Sequence, residues 1–412
     1  MTWLKKIDLW LMGICLSRLG TGLVLITYAA ALPVLQREWN MTAAKGGSIS
    51  SANQVAYAIS LVIFSSLADL WGAKRVFLGS MTAGALTAMV FALFARDYYS
   101  GIILYALVGF SLGGSYTTGL MLLSERYGAA KRGSAMGLFI ASTSAGYALS
   151  LLISGIALPL GGYKLSLFLT CLGTPLGAAA AWITLGRTKS IVVRRPSPKR
   201  SVREVFGNKP AMLLVAGYCF HSWELLGMWA WTPAFLAACF AFGGAEGLRA
   251  AGMGSYVTAF FHFTGILASF SMGFLSDRWG RGVMLLTLSG ISSICSFLFG
   301  WIFGWPLVVV LTLGALYAFS SLGDSPVLSA ALSEATDPAY LGVTFGIRSL
   351  LGFGAGAIAP LVFGLILDWT NPGRLGQIYT QWGWAFSSLG LMGLGATAVA
   401  GFYKRALKQA AR

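Results

Sequence analysis

Six ionisable side chains lie inside apolar runs of the sequence: Arg18, His221, Glu224, His262, Asp324 and Arg348. In a membrane interior such a group costs about 3 kcal/mol, and it persists where it faces a cavity or a partner. Arg18 falls about ten residues into its run, roughly 15 Å from the end at ~1.5 Å per helical residue. Arg348 lies less deep, about seven residues in on the same helical rise. A guanidinium in a low-dielectric cavity suits a carboxylate, phosphate or inorganic oxyanion, which it binds by paired hydrogen bonds. Two plainer readings stay open: Arg348 paired with Asp324, or either arginine reaching the interface along its alkyl stem.

The run from Tyr218 to Pro233 is the richest in such chemistry. His221, Glu224, Met228 and Trp231 are spaced i, i+3, i+7 and i+10, one face of a helix. Glu224 falls near mid-span. The cost of charge there favours a protonated carboxyl, and a histidine changes charge near neutral pH, so the pair can exchange protons. Trp231 and Met228, with Trp223 and Trp229, are candidates for lining a pocket, as is His262 within Phe-Phe-His-Phe. The competing reading is lipid contact for Trp229 and core packing for His262. Asp324, in Leu-Gly-Asp-Ser-Pro, is a further candidate proton site, and Pro326 is expected to break the helix there and free carbonyls. A metal would need His221, Glu224, His262 and Asp324 to converge from three helices. With no cysteine pair or second carboxylate motif, neither metal nor cofactor is expected.

The elements that carry these residues are membrane spans. The 412-residue chain is 57% hydrophobic and 10% charged, with mean hydropathy +0.74, and apolar runs of about 20 residues recur along it. Twelve helices are expected, over 8–35, 47–70, 75–95, 99–125, 133–160, 164–186, 210–240, 250–276, 282–303, 305–332, 341–368 and 379–403. An even number puts both termini on one side. The basic ends (Lys5, Lys6; Lys404, Arg405, Lys408, Arg412) make that side the cytoplasm. Only Arg37, Lys45, Arg96, Lys164, Arg249 and Arg374 then fall outside, so the net charge of +16 reads as positive-inside asymmetry and no nucleic-acid partner is expected. Residues 187–209 form a basic cytoplasmic linker, held at anionic headgroups, between six-helix units over 1–186 and 210–412.

A short segment occurs twice, half a chain apart. Residues 65–75 hold Asp69, Trp71, Gly72, Lys74 and Arg75; residues 273–281 hold Gly273, Leu275, Asp277, Arg278, Trp279, Gly280 and Arg281. Each lies between apolar runs, where glycine permits a tight reversal and basic residues fix the loop to the cytoplasmic face. Leu123-Ser124-Glu125 and Leu332-Ser333-Glu334 repeat at a similar offset, as do Gly133-x-x-x-Gly137 and Gly342-x-x-x-Gly346. The segment resembles the G-x-L-x-D-R-x-G-R-[RK] loop of the major facilitator superfamily, nearly complete in the second copy and altered at Ser65, Leu70 and Ala73 in the first.

That resemblance implies an all-α integral membrane protein of two pseudo-symmetric six-helix bundles, working by alternating access with a site between the bundles. Two departures narrow the function. Tyr105-x-x-x-Gly109 lacks the arginine of many proton-coupled antiporters, and Gly146 to Gly155 lacks the proline of many exporters. The expected function is therefore proton-coupled transport of a small organic or inorganic anion by a monomer in a bacterial inner membrane. Arg18, Arg348, Trp231, Met228 and His262 are the expected substrate contacts. Glu224, His221 and Asp324 are the expected proton carriers. Export of amphipathic drug-like compounds is the main alternative; a metal-ion carrier or a receptor is more remote. No Walker A, His-Glu-x-x-His or Gly-x-Ser-x-Gly motif suggests an enzyme.

Overall fold

Long apolar runs in a bilayer must pair every backbone N–H and C=O internally, which makes the α-helix their local solution. The computed structural model describes residues 8–189, 198–337, 340–374 and 377–410, and these are helical, with no strand among them. In chain order the helices are α1 (Leu9–Leu25), α2 (Thr27–Glu38), α3 (Ala43–Trp71), α4 (Ala73–Phe94), α5 (Tyr98–Arg126), α6 (Ala129–Cys171), α7 (Gly173–Leu185), α8 (Pro198–Gly207), α9 (Lys209–Phe242), α10 (Gly247–Trp279), α11 (Arg281–Phe299), α12 (Leu307–Ala335), α13 (Leu341–Gly356), α14 (Ala359–Thr370) and α15 (Gly383–Ala410). Side chains start several of them. Asp8 accepts from the Trp10 and Leu11 amides, Thr42 from Lys45, and Asp97 forms a capping box with Ser100, each pairing a donor that the first helical turn leaves free.

Among the described residues, 11 stretches are long and apolar enough to cross a membrane. All but one coincide with a single expected span. The exception, Lys131–Leu185, is 55 residues long and takes in two expected spans. Its helical geometry stops at Gly161 and at Gly162, whose φ of 63° favours glycine. Ser166 Oγ donates to Ser154 Oγ at 3.0 Å, whereas continuous helix would set them roughly 18 Å apart. The stretch doubles back on itself at these two glycines.

One reading from sequence needs adjustment. Pro326 does not break α12, which runs unbroken from Leu307 to Ala335. The Leu322 carbonyl, which Pro326 cannot bond, accepts from Ser269 Oγ of α10 at 3.4 Å, so the helix carries the proline without unwinding. The expected linker 187–209 contains helix α8; its residues 190–197 lie outside the described residues, as do Lys5, Lys6 and Arg412.

Helices α1–α7 pack among themselves, as do α9–α15, and the seam between the two bundles is formed by α2, α3 and α6 against α9, α10, α13 and α14. The repeated turn has the same backbone in both bundles: Gly72 has φ 84° and ψ 143°, Gly280 φ 88° and ψ 142°. Their side chains act differently. In the first, Lys74 Nζ donates to the Thr188 carbonyl (2.6 Å) and the Gly186 carbonyl (3.3 Å) at the end of α7, and Arg75 is exposed. In the second, Arg281 binds Asp277 (2.5 Å), Glu334 of α12 (2.8 Å) and the Gly273 carbonyl (3.4 Å), while Arg278 lies over Phe274. The carboxylates beside Arg281 stabilise its charged form and raise its pKa. Both clips stay within one bundle. A backbone of this type costs any residue with a Cβ about 1–3 kcal/mol, so Gly280→Ala is expected to lower the thermal midpoint of the solubilised protein by several degrees. An unchanged midpoint would mean that the turn relaxes freely.

Candidate functional site

The six ionisable residues divide between the bundles, Arg18 in the first and the other five in the second. Arg18 is 4% exposed. Its Nε donates to Thr143 Oγ1 of α6 (2.7 Å), and Nη1 to Ser115 Oγ of α5 (3.3 Å) and Thr21 Oγ1 (3.4 Å). None of these partners is a carboxylate. Its guanidinium lies 5.0 Å from the Tyr116 ring and 5.6 Å from that of Phe139. This is a buried cation oriented by neutral hydroxyls and π faces, with its charge unanswered by any of them.

Across the seam, Arg348 of α13 lies 4.2 Å from the Tyr218 ring and 4.8 Å from that of Phe345. Its Nη1 donates to Ser329 Oγ at 2.8 Å, and its Nε is buried without a hydrogen-bond partner among the described residues. The pairing with Asp324 that sequence left open is not among its contacts. Asp324 instead meets His221, with Oδ1 2.9 Å from Nδ1, and Ser325 Oγ lies 2.9 Å from His221 Nε2. No hydrogen-bond donor is aligned on Asp324 Oδ1, so the attraction depends on the charge that His221 carries. The two bundles thus echo each other: a basic group on the first helix of each meets Ser115 or Asp324, equivalent positions of the repeat.

Glu224 points into the second bundle, away from the seam. It is 3% exposed and accepts from Ser292 Oγ of α11 at 2.8 Å; a Cβ added at Gly393 of α15 would come 2.9 Å from its Oε2. Among the described residues it has no ion pair. Met228 and Trp231 share this inward orientation. Met228 Sδ lies 3.6 Å from Ser321 Oγ. Trp231 donates to the Pro360 carbonyl at 3.0 Å and stacks on Phe363. Helical spacing identifies one face correctly, and that face turns to the bundle core. Glu224, His221 and Asp324 are brought together along the α9–α12 contact, close enough for the charge of Asp324 to act on Glu224.

His262 belongs to the seam. It stacks on Trp229 with centroids 3.8 Å apart and meets Tyr147 of the first bundle edge-on at 5.8 Å. Tyr57 and Phe353 also meet across the seam, at 6.1 Å, and Tyr116 is within electrostatic range of both Arg18 and Arg348. Tyr116, Tyr147, Tyr218 and Phe353 are half-buried. These rings form a wall that sequence reading missed, because a tyrosine in a span carries no sign of which neighbour it faces. Among the described residues no group of three or more His, Cys, Asp or Glu could hold a metal.

A second element missed from sequence is Asp368, at the end of α14 farthest from the repeated turns. Its Oδ1 accepts from the Ala43 amide and its Oδ2 from the Ala44 amide, both at 2.8 Å. A carboxylate of the second bundle thus caps the positive N-terminus of α3 in the first. The backbones touch beside it. A Cβ at Gly364 would come 2.3 Å from the Ala43 carbonyl, and one at Gly47 would come 2.1 Å from that of Pro360. At the opposite end, a Cβ at Gly133, Gly137, Gly342 or Gly346 would meet nothing within 4 Å. The seam is tight at the Asp368 end, while the α6 and α13 starts border open space.

Comparison with known proteins agrees with this architecture. Residues 11–260 match the family model described as Major Facilitator Superfamily. The chain is 25% identical over 351 residues to NiaP of Bacillus subtilis (strain 168), named as a candidate niacin/nicotinamide transporter, covering 81% of this chain and 82% of that one. It is 24% identical over 360 residues to the hexuronate transporter of the same bacterium, covering 83% of each. A shorter match, 28% identical over 120 residues, covers 30% of an uncharacterized MFS-type transporter, YybF, also of Bacillus subtilis. Among solved structures, an inward-facing, unoccupied bacterial homolog of the human lysosomal transporter Spinster superposes with a TM-score of 0.76 over 97% of this chain and 98% of that one, at 15% identity.

Proposed function

The chain belongs to the major facilitator superfamily, and on that premise we propose that it is a proton-coupled secondary transporter of a small organic anion, bound through a carboxylate at Arg18. The observation that carries this is the Arg18 environment: a 4% exposed guanidinium oriented by three hydroxyls, none of them able to neutralise it, beside a tyrosine, Tyr116, that is also within electrostatic range of Arg348. An anionic substrate supplies the missing charge by displacing a hydroxyl from Nη1 and taking Nη1 and Nη2 together as a bidentate contact. Arg348, with its free Nε, gives a second cationic contact from the other bundle. The names of two relatives are consistent with this chemistry, since niacin and hexuronates are both small carboxylates.

In this reading residues 1–186 and 210–412 are rocking bodies joined by the 187–209 linker, with twelve crossings, both termini cytoplasmic and the bacterial cell membrane as the site of action. The tight Asp368 end is then the outer gate, closed in an inward-facing state. The protein acts as a monomer and carries out no catalysis. His221, Glu224 and Asp324 carry the proton; His262 joins the arginines at the substrate, and Met228 and Trp231 act by shaping α9 behind the site.

The ring-lined seam also suits export of amphipathic compounds, and counterflow in proteoliposomes separates the two. Vesicles preloaded with a small carboxylate should draw in labelled carboxylate above protein-free controls, and a lipophilic cation should neither exchange nor compete. Exchange of the cation alone would replace the anion reading with the exporter one.

The gate gives its own expectation. Asp368→Asn keeps the shape but loses the charge–dipole attraction, about 0.3–2 kcal/mol. A thiol reagent applied from outside should then label a cysteine introduced at Ser51 of α3, whose Oγ accepts from the Leu361 amide of α14 at 3.1 Å, about twofold to thirtyfold faster than in the charged parent. An equal rate would remove Asp368 from the gate.

A further inference from the structure

The arginines account for one end of the substrate, and the His262 region carries information about the other. His262 lies on α10 about 25 Å from its Trp279 end, whereas Arg18 lies roughly 15 Å from the corresponding end of α1, counting ~1.5 Å per residue. The depth difference of about 10 Å fits a carboxylate, a single ring and the reach of an arginine side chain. Tyr147 links the two levels: it is within electrostatic range of Arg18 and makes the edge-on contact with His262.

His262 is 2% exposed, and its Nε2 has no hydrogen-bond partner among the described residues. A buried polar atom left in that condition is costly, because it has lost water without replacement. The Trp229 stack fixes the imidazole plane, so the orientation of Nε2 is set before any ligand arrives. The surrounding surface offers aromatic faces and few amides. Apart from Gln409 in the last turn of α15, the membrane-crossing helices hold only Gln36, Asn53 and Gln54 as side-chain amides. Asn53 is committed to the Tyr105 carbonyl at 2.7 Å. A polyhydroxylated acid would leave many of its hydroxyls unpaired against such a wall, whereas a flat ring packs well on it.

We infer that His262 is the specificity-determining residue of this site, and that the substrate is a planar heteroaromatic monocarboxylate whose ring atom hydrogen-bonds Nε2 while its carboxylate lies at Arg18. This rests on the anion reading above and adds the identity of the ring end. A ring nitrogen accepts from Nε2–H; a ring lacking one leaves Nε2 unpaired, the situation in which binding sites discriminate most strongly.

The test measures inhibition of labelled benzoate counterflow in proteoliposomes by unlabelled pyridine-3-carboxylate, pyridine-4-carboxylate, benzoate and glucuronate. Wild type, His262→Phe and His262→Gln are compared. In wild type, one of the pyridine carboxylates should compete at least tenfold better than benzoate, with glucuronate weakest. His262→Phe should bring that pyridine carboxylate within about twofold of benzoate, read as the ratio of their inhibition constants in the same preparation. His262→Gln should restore part of the preference, because an amide can donate to the ring nitrogen. Benzoate exchange with no pyridine preference in wild type, or a preference that survives His262→Phe, overturns the His262 assignment and leaves the anion reading standing. Failure of every carboxylate to exchange in wild type overturns both. Should His262→Phe not fold, His262→Gln and His262→Asn decide the matter by the same ratio.

Discussion

Arg18→Ala is expected to weaken carboxylate binding by about 30- to 4000-fold while leaving the thermal midpoint of the protein unchanged or higher. The first part follows from removing one member of a buried charge-assisted pair, a loss of about 2–5 kcal/mol at ~1.4 kcal/mol per tenfold. The second part separates a substrate contact from a structural one. The partners of Arg18 are hydroxyls, so its charge is desolvated without an opposite charge among them. Taking that charge away removes an unfavourable term from the fold, and the stability so gained is what binding had used. Arg18→Lys should lie between, about tenfold weaker, because an ammonium cannot reproduce a bidentate fork. Calorimetric titration with carboxylate and a thermal melt of the same preparations give both quantities. A large fall in midpoint with near-normal affinity would make Arg18 a packing residue.

Arg18 and Arg348 could be read from sequence because a guanidinium inside an apolar run is conspicuous whatever it touches. Their partners could not. Thr143 lies 125 positions from Arg18 in sequence, and no local spacing signals that contact. His221 and Glu224 illustrate the same limit from another side. Their i, i+3 spacing puts them on neighbouring parts of one helix, yet His221 meets Asp324 while Glu224 meets Ser292. Helical periodicity gives the angle between side chains and leaves open which helix lies opposite. The repeated turns were legible because Gly72 and Gly280 do local work that sequence encodes locally. Asp368 was not, since a carboxylate at the end of a span looks like an ordinary loop charge until the α3 N-terminus is seen against it. The glycine reversal in Lys131–Leu185 was legible only as a gap between two apolar runs, because its hairpin depends on two unusual φ/ψ pairs.

Glu224→Gln is expected to abolish accumulation of substrate against its gradient and to leave exchange intact. Its carboxyl is mid-span, 3% exposed and bonded to a neutral hydroxyl, so holding a charge there without a cation is expensive. On the proposed coupling it carries a proton in one state and gives it up in the other, with His221 and its contact Asp324 as the proposed route. Glutamine keeps the size and hydrogen bonding of the protonated form but has no proton to release. A one-proton, electroneutral symport with an imposed gradient of one pH unit gives about tenfold accumulation, because a unit is worth ~1.4 kcal/mol. The variant should fall to an accumulation ratio of about one, with counterflow within about threefold of wild type. Survival of accumulation would move the proton site to Asp324. Loss of counterflow too would mark Glu224 as a structural or binding group.

The central claim, that an anion bound at Arg18 crosses with a proton, is tested most directly by following lumenal pH when substrate alone is supplied. Proteoliposomes loaded with a pH-sensitive dye and weak buffer receive external carboxylate with no imposed gradient, against protein-free vesicles and vesicles carrying Arg18→Ala. The account predicts lumenal acidification in wild type beyond that of both controls, and its disappearance in Glu224→Gln vesicles that still exchange labelled substrate. Acidification equal in all four preparations, or alkalinisation in wild type, would contradict it.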